Sequence, residues 1–158
     1  MAGNILRALG RRFIMLNRAD IRHFQNREYR EAMAKWLESE PWDYFATFTA
    51  PYEMNLKTSR KLMERYLDKL GSDSIMFWVA ERHKEKPGYH THGLIKSKWP
   101  KEDLWELWQI CSVHKGQKSF RNDGHIFNRC DISPRDYKKK MGEYVSKYIT
   151  KSYVDWGV

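Results

Sequence analysis

The chain has 158 residues, of which 41% are hydrophobic and 15% aromatic, too apolar for a disordered polyelectrolyte and long enough for one proper core. A formal net charge of +9 favours nucleic acid or another polyanion as partner. Two cysteines, Cys111 and Cys130, exclude a disulfide framework and fit a reducing compartment, and no apolar run approaches a membrane span.

The opening "MAGNILRALGRRFIML" sets its arginines inside the apolar stretch, the wrong order for a secretory signal. A cytoplasmic protein, neither secreted nor membrane-bound, is therefore expected. Next, "EYREAMAKWLES" brings Tyr29, Met33, Trp36 and Leu37 round at helical spacing, and Pro41 ends that helix. "DYFATFT" (43–49) is aromatic and β-branched and predicts a strand. From Asn55 to Leu70 the apolar positions Leu56, Met63, Tyr66, Leu67 and Leu70 predict a helix stopped by Gly71. "SIMFWVAER" (74–82) is apolar on both faces, as in a strand covered on both sides. "KPG" turns the chain, and "YHTHGLIK" (89–96) returns as its hairpin partner.

"PKEDLWELWQI" (100–110) predicts a helix with Leu104, Trp105, Leu107 and Trp108 inward. After a basic loop, a strand is expected around "HIFNRCDI" (125–132), then a last helix capped by Ser133 and starting at Pro134. The order is helix, β-α-β-β-α-β, helix. That is an α+β chain on the ferredoxin-like (RRM-like) plan, with helices on one face of an antiparallel sheet. The other face is left for a site or for the terminal helix. No linker or low-complexity tract divides the chain, so residues 1–158 are expected to form one domain, with a core over 43–151 and a helical extension over 1–42.

Three stretches carry chemistry. In "GYHTHG", His90 and His92 project from one strand face, ~7 Å apart along the strand, and can converge on one ion. Glu81 ends the partner strand close to the same turn. Two nitrogens and one carboxylate oxygen make a three-ligand site with open positions. A bare His-x-His is more often a pair of surface histidines; the facing carboxylate favours a metal. A rival set, Cys111, His114, His125 and Cys130, has the composition of a structural zinc site, but its second gap is loose and Cys111 lies on an apolar helix face. The cysteines are better explained as buried hydrophobes. Lastly, "YVSKYITK" repeats Tyr-x-x-Lys in tandem, so Tyr144 and Tyr148 stand one helical turn apart, ~6 Å between Cβ atoms. Taken alone, such a pair is most often a core-facing stripe.

Together these motifs resemble the HUH endonucleases, and most closely the two-tyrosine rolling-circle replication initiators of single-stranded DNA phages and related plasmids. "FATFTA" resembles their first motif, "GYHTHG" the paired-histidine second and "YVSKYITK" the third, in order across residues 43 to 151. Thr91 departs from the bulky hydrophobe usual between the histidines. The resemblance implies a site-specific single-stranded DNA endonuclease and strand transferase that nicks an origin hairpin, keeps the 5′-phosphate on tyrosine and frees a 3′-OH for priming. It further implies Mg²⁺ or Mn²⁺ on His90, His92 and Glu81, nucleophiles at Tyr144 and Tyr148, and Lys147 and Lys151 beside the phosphate. Nothing in the chain resembles the helicase domain of some relatives, so a host helicase and a host polymerase are expected partners.

Arg82, His83, Lys84 and Lys86 in the hairpin turn, with Lys115, Lys118 and Arg121 in the long loop, are expected to track the DNA backbone. A two-tyrosine transposase or a relaxase nuclease domain would use the same chemistry. A non-catalytic ferredoxin-like nucleic-acid-binding module, with aromatics as stacking platforms, explains the charge but not the tandem motif.

Overall fold

The Asn55 side chain accepts a hydrogen bond from the Thr58 amide at 2.8 Å and starts helix α2 (Leu56–Leu70), as the sequence predicts. Gly71 ends it at φ +84°, where a side chain would be strained although the space is open. The structure, a computed structural model, describes residues 27–112, 130–149 and 156–157. In chain order the other elements are α1 (Arg27–Ser39), β1 (Tyr44–Phe48), β2 (Ile75–Arg82), β3 (Tyr89–Lys96), α3 (Lys101–Cys111), β4 (Cys130–Pro134), α4 (Met141–Ile149) and β5 (Trp156–Gly157).

The strands pair in the order β4-β1-β3-β2-β5, every neighbour antiparallel. The first four give the ferredoxin-like order, and the fold is α+β with helices added at both ends of that core. Alternation along the strands sends Phe48, Met76, Trp78, Ala80 and Ile95 to the face covered by α2 and α3. There the rings of Phe48 and Trp108 lie 4.7 Å apart, and two of the aromatic side chains place their polar atoms on nearby carbonyls. The Trp108 indole donates to the Thr49 carbonyl at 2.8 Å, and the Tyr66 hydroxyl to the Leu104 carbonyl at 2.9 Å. Each such aromatic contributes about 1.5–3 kcal/mol by burial.

The opposite face holds Phe77, Val79 and Leu94 beneath Leu37 of α1 and Val145 of α4. Strand β2 is thus buried on both faces, as its continuous apolar run predicts. Helix α1, the first among the described residues, forms with α4 the second layer over the sheet.

Two expectations need correction. Ser133 does not cap a helix, and no helix begins at Pro134. Ser133 pairs with Phe45 and Pro134 with Tyr44, so β4 runs through both. Proline is tolerated because it closes an edge strand, where its missing N–H leaves the ladder intact. Residues 135–140 then form a loop and α4 begins at Met141. The two-residue β5, too short to predict, pairs with the outer edge of β2. The expected strand residues 125–129 lie outside the described residues. No helix among the described residues is long and apolar enough to cross a membrane.

Candidate metal centre

Antiparallel pairing sets Glu81 opposite His90 across the β2–β3 hairpin and Thr47 opposite His92 across β1–β3. The hairpin turn is tied down at both ends: the His83 amide donates to the Gly88 carbonyl at 3.0 Å and the Tyr89 amide to the Met54 carbonyl at 2.8 Å. Gly88 sits at φ +91°, and a Cβ there would stand 2.8 Å from the Glu53 side chain. Only glycine lets the turn and the segment after β1 approach so closely.

On this scaffold three ligand atoms converge. Glu81 Oε2 lies 3.0 Å from His90 Nε2 and 2.9 Å from His92 Nε2, and the two nitrogens are 2.9 Å apart. Glu81 and His92 are buried, at 9% and 5% exposure. Three such ligand atoms at one point could hold a shared cation. At 2.9–3.0 Å from one another, the three atoms are close enough to reach one ion at ~2.1 Å. The donor set, two imidazoles and one carboxylate, could hold a divalent metal ion with open positions left over.

The outer ring nitrogens are held as well. His92 Nδ1 lies 3.2 Å from the Thr47 hydroxyl and His90 Nδ1 lies 3.1 Å from His83 Nδ1. With each ligand donating its Nδ1–H outward, to the Thr47 oxygen and to the His83 nitrogen, both Nε2 atoms present lone pairs to the shared point. Burial and the neighbouring His92 lower the His90 pKa against the upward pull of Glu81. Burial likewise lowers that of His83, with His90 and Lys86 adding to it. Neutral imidazole is the ligating form.

Helix α4 brings Tyr144 to this cluster. Its ring stands edge-on to His92 at 5.5 Å and to Phe45 at 6.1 Å, while Phe45 stacks on His92 at 5.9 Å. Among the described positions of α4, Gly142, Val145 and Ser146 are buried, and Tyr144 is 37% exposed beside them. It lies at the border of core and solvent, not in the core stripe. Tyr148 follows one turn on in α4, though its side chain lies outside the described residues. Lys147 is exposed on the same helix, and Lys151 lies outside the described residues.

Arg82, Lys84 and Lys86 are exposed at the hairpin end, next to the cluster; Lys115, Lys118 and Arg121 lie outside the described residues. Of the rival zinc set, Cys111 and Cys130 are buried free thiols, the latter pushed up to about 12 by burial. His114 and His125 lie outside the described residues.

The sequence treats His83 as one more basic turn residue. Its signal was present, since Glu81-x-His83 places both side chains on one strand face. Thr47 and Phe45 could not be assigned without the β1–β3 register. Comparison of the chain with protein-family models, curated proteins and solved structures finds no match.

Proposed function

We propose that the chain is a metal-assisted nicking endonuclease and strand transferase for single-stranded DNA, working through a 5′-phosphotyrosine in rolling-circle replication. The observation that carries this is the Tyr144 ring 5.5 Å from His92, at the rim of a three-ligand cluster whose outer nitrogens are also held.

Glu81, His90 and His92 would hold the ion, Mg²⁺ or Mn²⁺, with Thr47 and His83 fixing the ring tautomers. Such an ion, when bound, draws charge from a phosphate oxygen and orients the scissile group. Tyr144 supplies the nucleophile: its Oη–P bond forms as the P–O3′ bond breaks. The phenol proton ends, in net terms, on the departing 3′ oxygen. One phosphodiester is exchanged for another, so religation by a 3′-OH is the same step reversed. Lys147 favours the phenolate and the phosphate charge, and Tyr148 would make the second cut that closes a circle. Arg82, Lys84 and Lys86 extend a positive rim along which a single strand or extruded hairpin loop lies. Host helicase and polymerase would act with the protein in the cytoplasm.

A transposase or relaxase nuclease domain would share this centre and differ in its DNA. The non-catalytic module is disfavoured by the layering: among the described residues both sheet faces are covered, one by α2 and α3 and the other by α1 and α4, leaving no bare aromatic platform.

The test is incubation with Mn²⁺ and single-stranded oligonucleotides, resolved on a denaturing gel. A covalent protein–DNA band that vanishes in EDTA is expected. Binding without any band, across a broad oligonucleotide pool, would leave the binding module as the better account.

A further inference from the structure

Helix α4 has no N-cap of its own. Lys140 precedes Met141, and no Ser, Thr, Asp or Asn stands at the helix entry. Its first amides are met instead from α1. Glu38 Oε1 accepts from the Gly142 amide at 2.6 Å and the Glu143 amide at 3.4 Å. Carboxylate at a helix N-terminus is favoured by both the free N–H groups and the dipole.

The other oxygen, Glu38 Oε2, accepts from Arg135 Nη2 at 2.5 Å. Arg135 is 7% exposed, and its Nε and Nη1 have no hydrogen-bond partner among the described residues. Its charge therefore depends on Glu38 and on the face of Tyr137, 5.4 Å away. Tyr137 in turn donates its hydroxyl to the Trp42 carbonyl at 2.9 Å. A third feature is independent of charge. A Cβ on Gly142 would meet Glu38 N and Leu37 Cβ at 2.9 Å and Ala34 O at 3.0 Å, so α4 lies with its backbone against α1.

We propose that Glu38 is a positioning residue for Tyr144: held by Arg135, its carboxylate caps α4 and, with the Gly142 contact, sets the phenol at its place beside His92. This rests on Tyr144 being the nucleophile. Tyr144 is two residues beyond the capped amide of Gly142, so tilting the first turn of α4 moves its ring directly. The three ligands are carried by β2 and β3 and not by α1 or α4, so their geometry is expected to stay as it is.

The experiment reads position and activity separately. In protein with ¹³C-labelled histidine rings, Tyr144→Leu gives the shift that the Tyr144 ring imposes on His92. Glu38→Ala and Gly142→Ala are expected to move the His92 ring resonance toward that value. Single-turnover adduct formation should fall roughly 10- to 100-fold, as for a displacement near 1 Å, with Mn²⁺ affinity changed less than about twofold. Glu38→Gln keeps one acceptor for the Gly142 amide but turns its NH2 group to Arg135, so it should lie between wild type and Glu38→Ala in both resonance and rate.

A His92 resonance unmoved in both Glu38→Ala and Gly142→Ala overturns the positioning role, whatever the nuclease assay gives. If the resonance moves while the wild-type protein forms no adduct on any substrate, the cap does set the ring and the nuclease reading fails. Should Glu38→Ala not fold, Gly142→Ala carries the comparison; if neither folds, and Glu38→Gln does not either, the pair is merely structural and the proposal is lost.

Discussion

Tyr144 and His92 meet edge to face, ring centroids 5.5 Å apart and planes at 81°, although they come from a terminal helix and a central strand. On the proposed reading, a phenol so placed would share a phosphate with the ion that His92 would hold.

From that relation follows the behaviour of the tyrosine pair. Tyr144→Phe and Tyr148→Phe keep their rings and should unfold within about 1 kcal/mol of the parent. Each should impair strand transfer, and only the double variant should lose all covalent adduct on a denaturing gel. If Tyr148→Phe completes nicking, transfer and religation at the parental rate, the second tyrosine has no catalytic part.

The ligands and their supports should separate by degree. His92→Ala or His90→Ala should abolish cleavage while leaving oligonucleotide binding largely intact, because phosphate contacts would dominate affinity. Thr47→Val and His83→Phe remove only the outer hydrogen bonds of His92 and His90. Each should weaken Mn²⁺ binding by roughly 10- to 100-fold, with cleavage recovering at high metal. Calorimetric titration of Mn²⁺ checks the affinities, and parental affinity in both variants would remove the outer shell from the account.

Acid should loosen the metal-free protein through the same histidines. His90 and His83 are held below their ordinary pKa by burial, so the folded state resists protonation more than the unfolded chain does. For that sign, the contribution to stability is complete above the unfolded value near 6.5 and is lost as pH falls through the folded values. Urea midpoints measured in EDTA should therefore drop as pH goes from about 7 to 5. The drop should be smaller in a His83→Phe, His90→Phe double variant; an equal drop in both would trace acid sensitivity elsewhere.

Thr91 sits between the two histidines but faces the other way, opposite Phe48 and Ala80 in the ladder. It is fully buried, and its hydroxyl has no hydrogen-bond partner among the described residues. Thr91→Val replaces that hydroxyl with a methyl group of similar size and should raise stability by about 1 kcal/mol in urea unfolding. Mn²⁺ affinity should not change. A loss of stability would mean that the hydroxyl is satisfied after all.

What the residues disclosed in advance was governed by range. The hairpin of Glu81 with His90, the Asn55 cap and the Gly71 stop are set by neighbours in sequence, and periodicity finds such features. The entry to α4 was misjudged because Ser133-Pro134 is a good local helix start that pairing with β1 overrides. The cap that α4 does use comes from Glu38, 104 residues before Gly142, and no local pattern encodes it. Thr47 and Phe45 were hidden for the same reason: their places beside His92 come from strand register, which is fixed only once the sheet assembles.

Strand β5 has a consequence for handling the protein. "IMFWVA", within β2, is a six-residue stretch without charge, proline or glycine, the composition that stacks into fibrils when its edge is open. Trp156 and Gly157 pair with Val79 and Trp78 on that edge. Two residues of backbone thus cover the middle of this apolar edge. Ending the chain at residue 155 should leave the ligand cluster in place yet make the protein self-associate on storage. Light scattering over days, compared with the full chain, would register it.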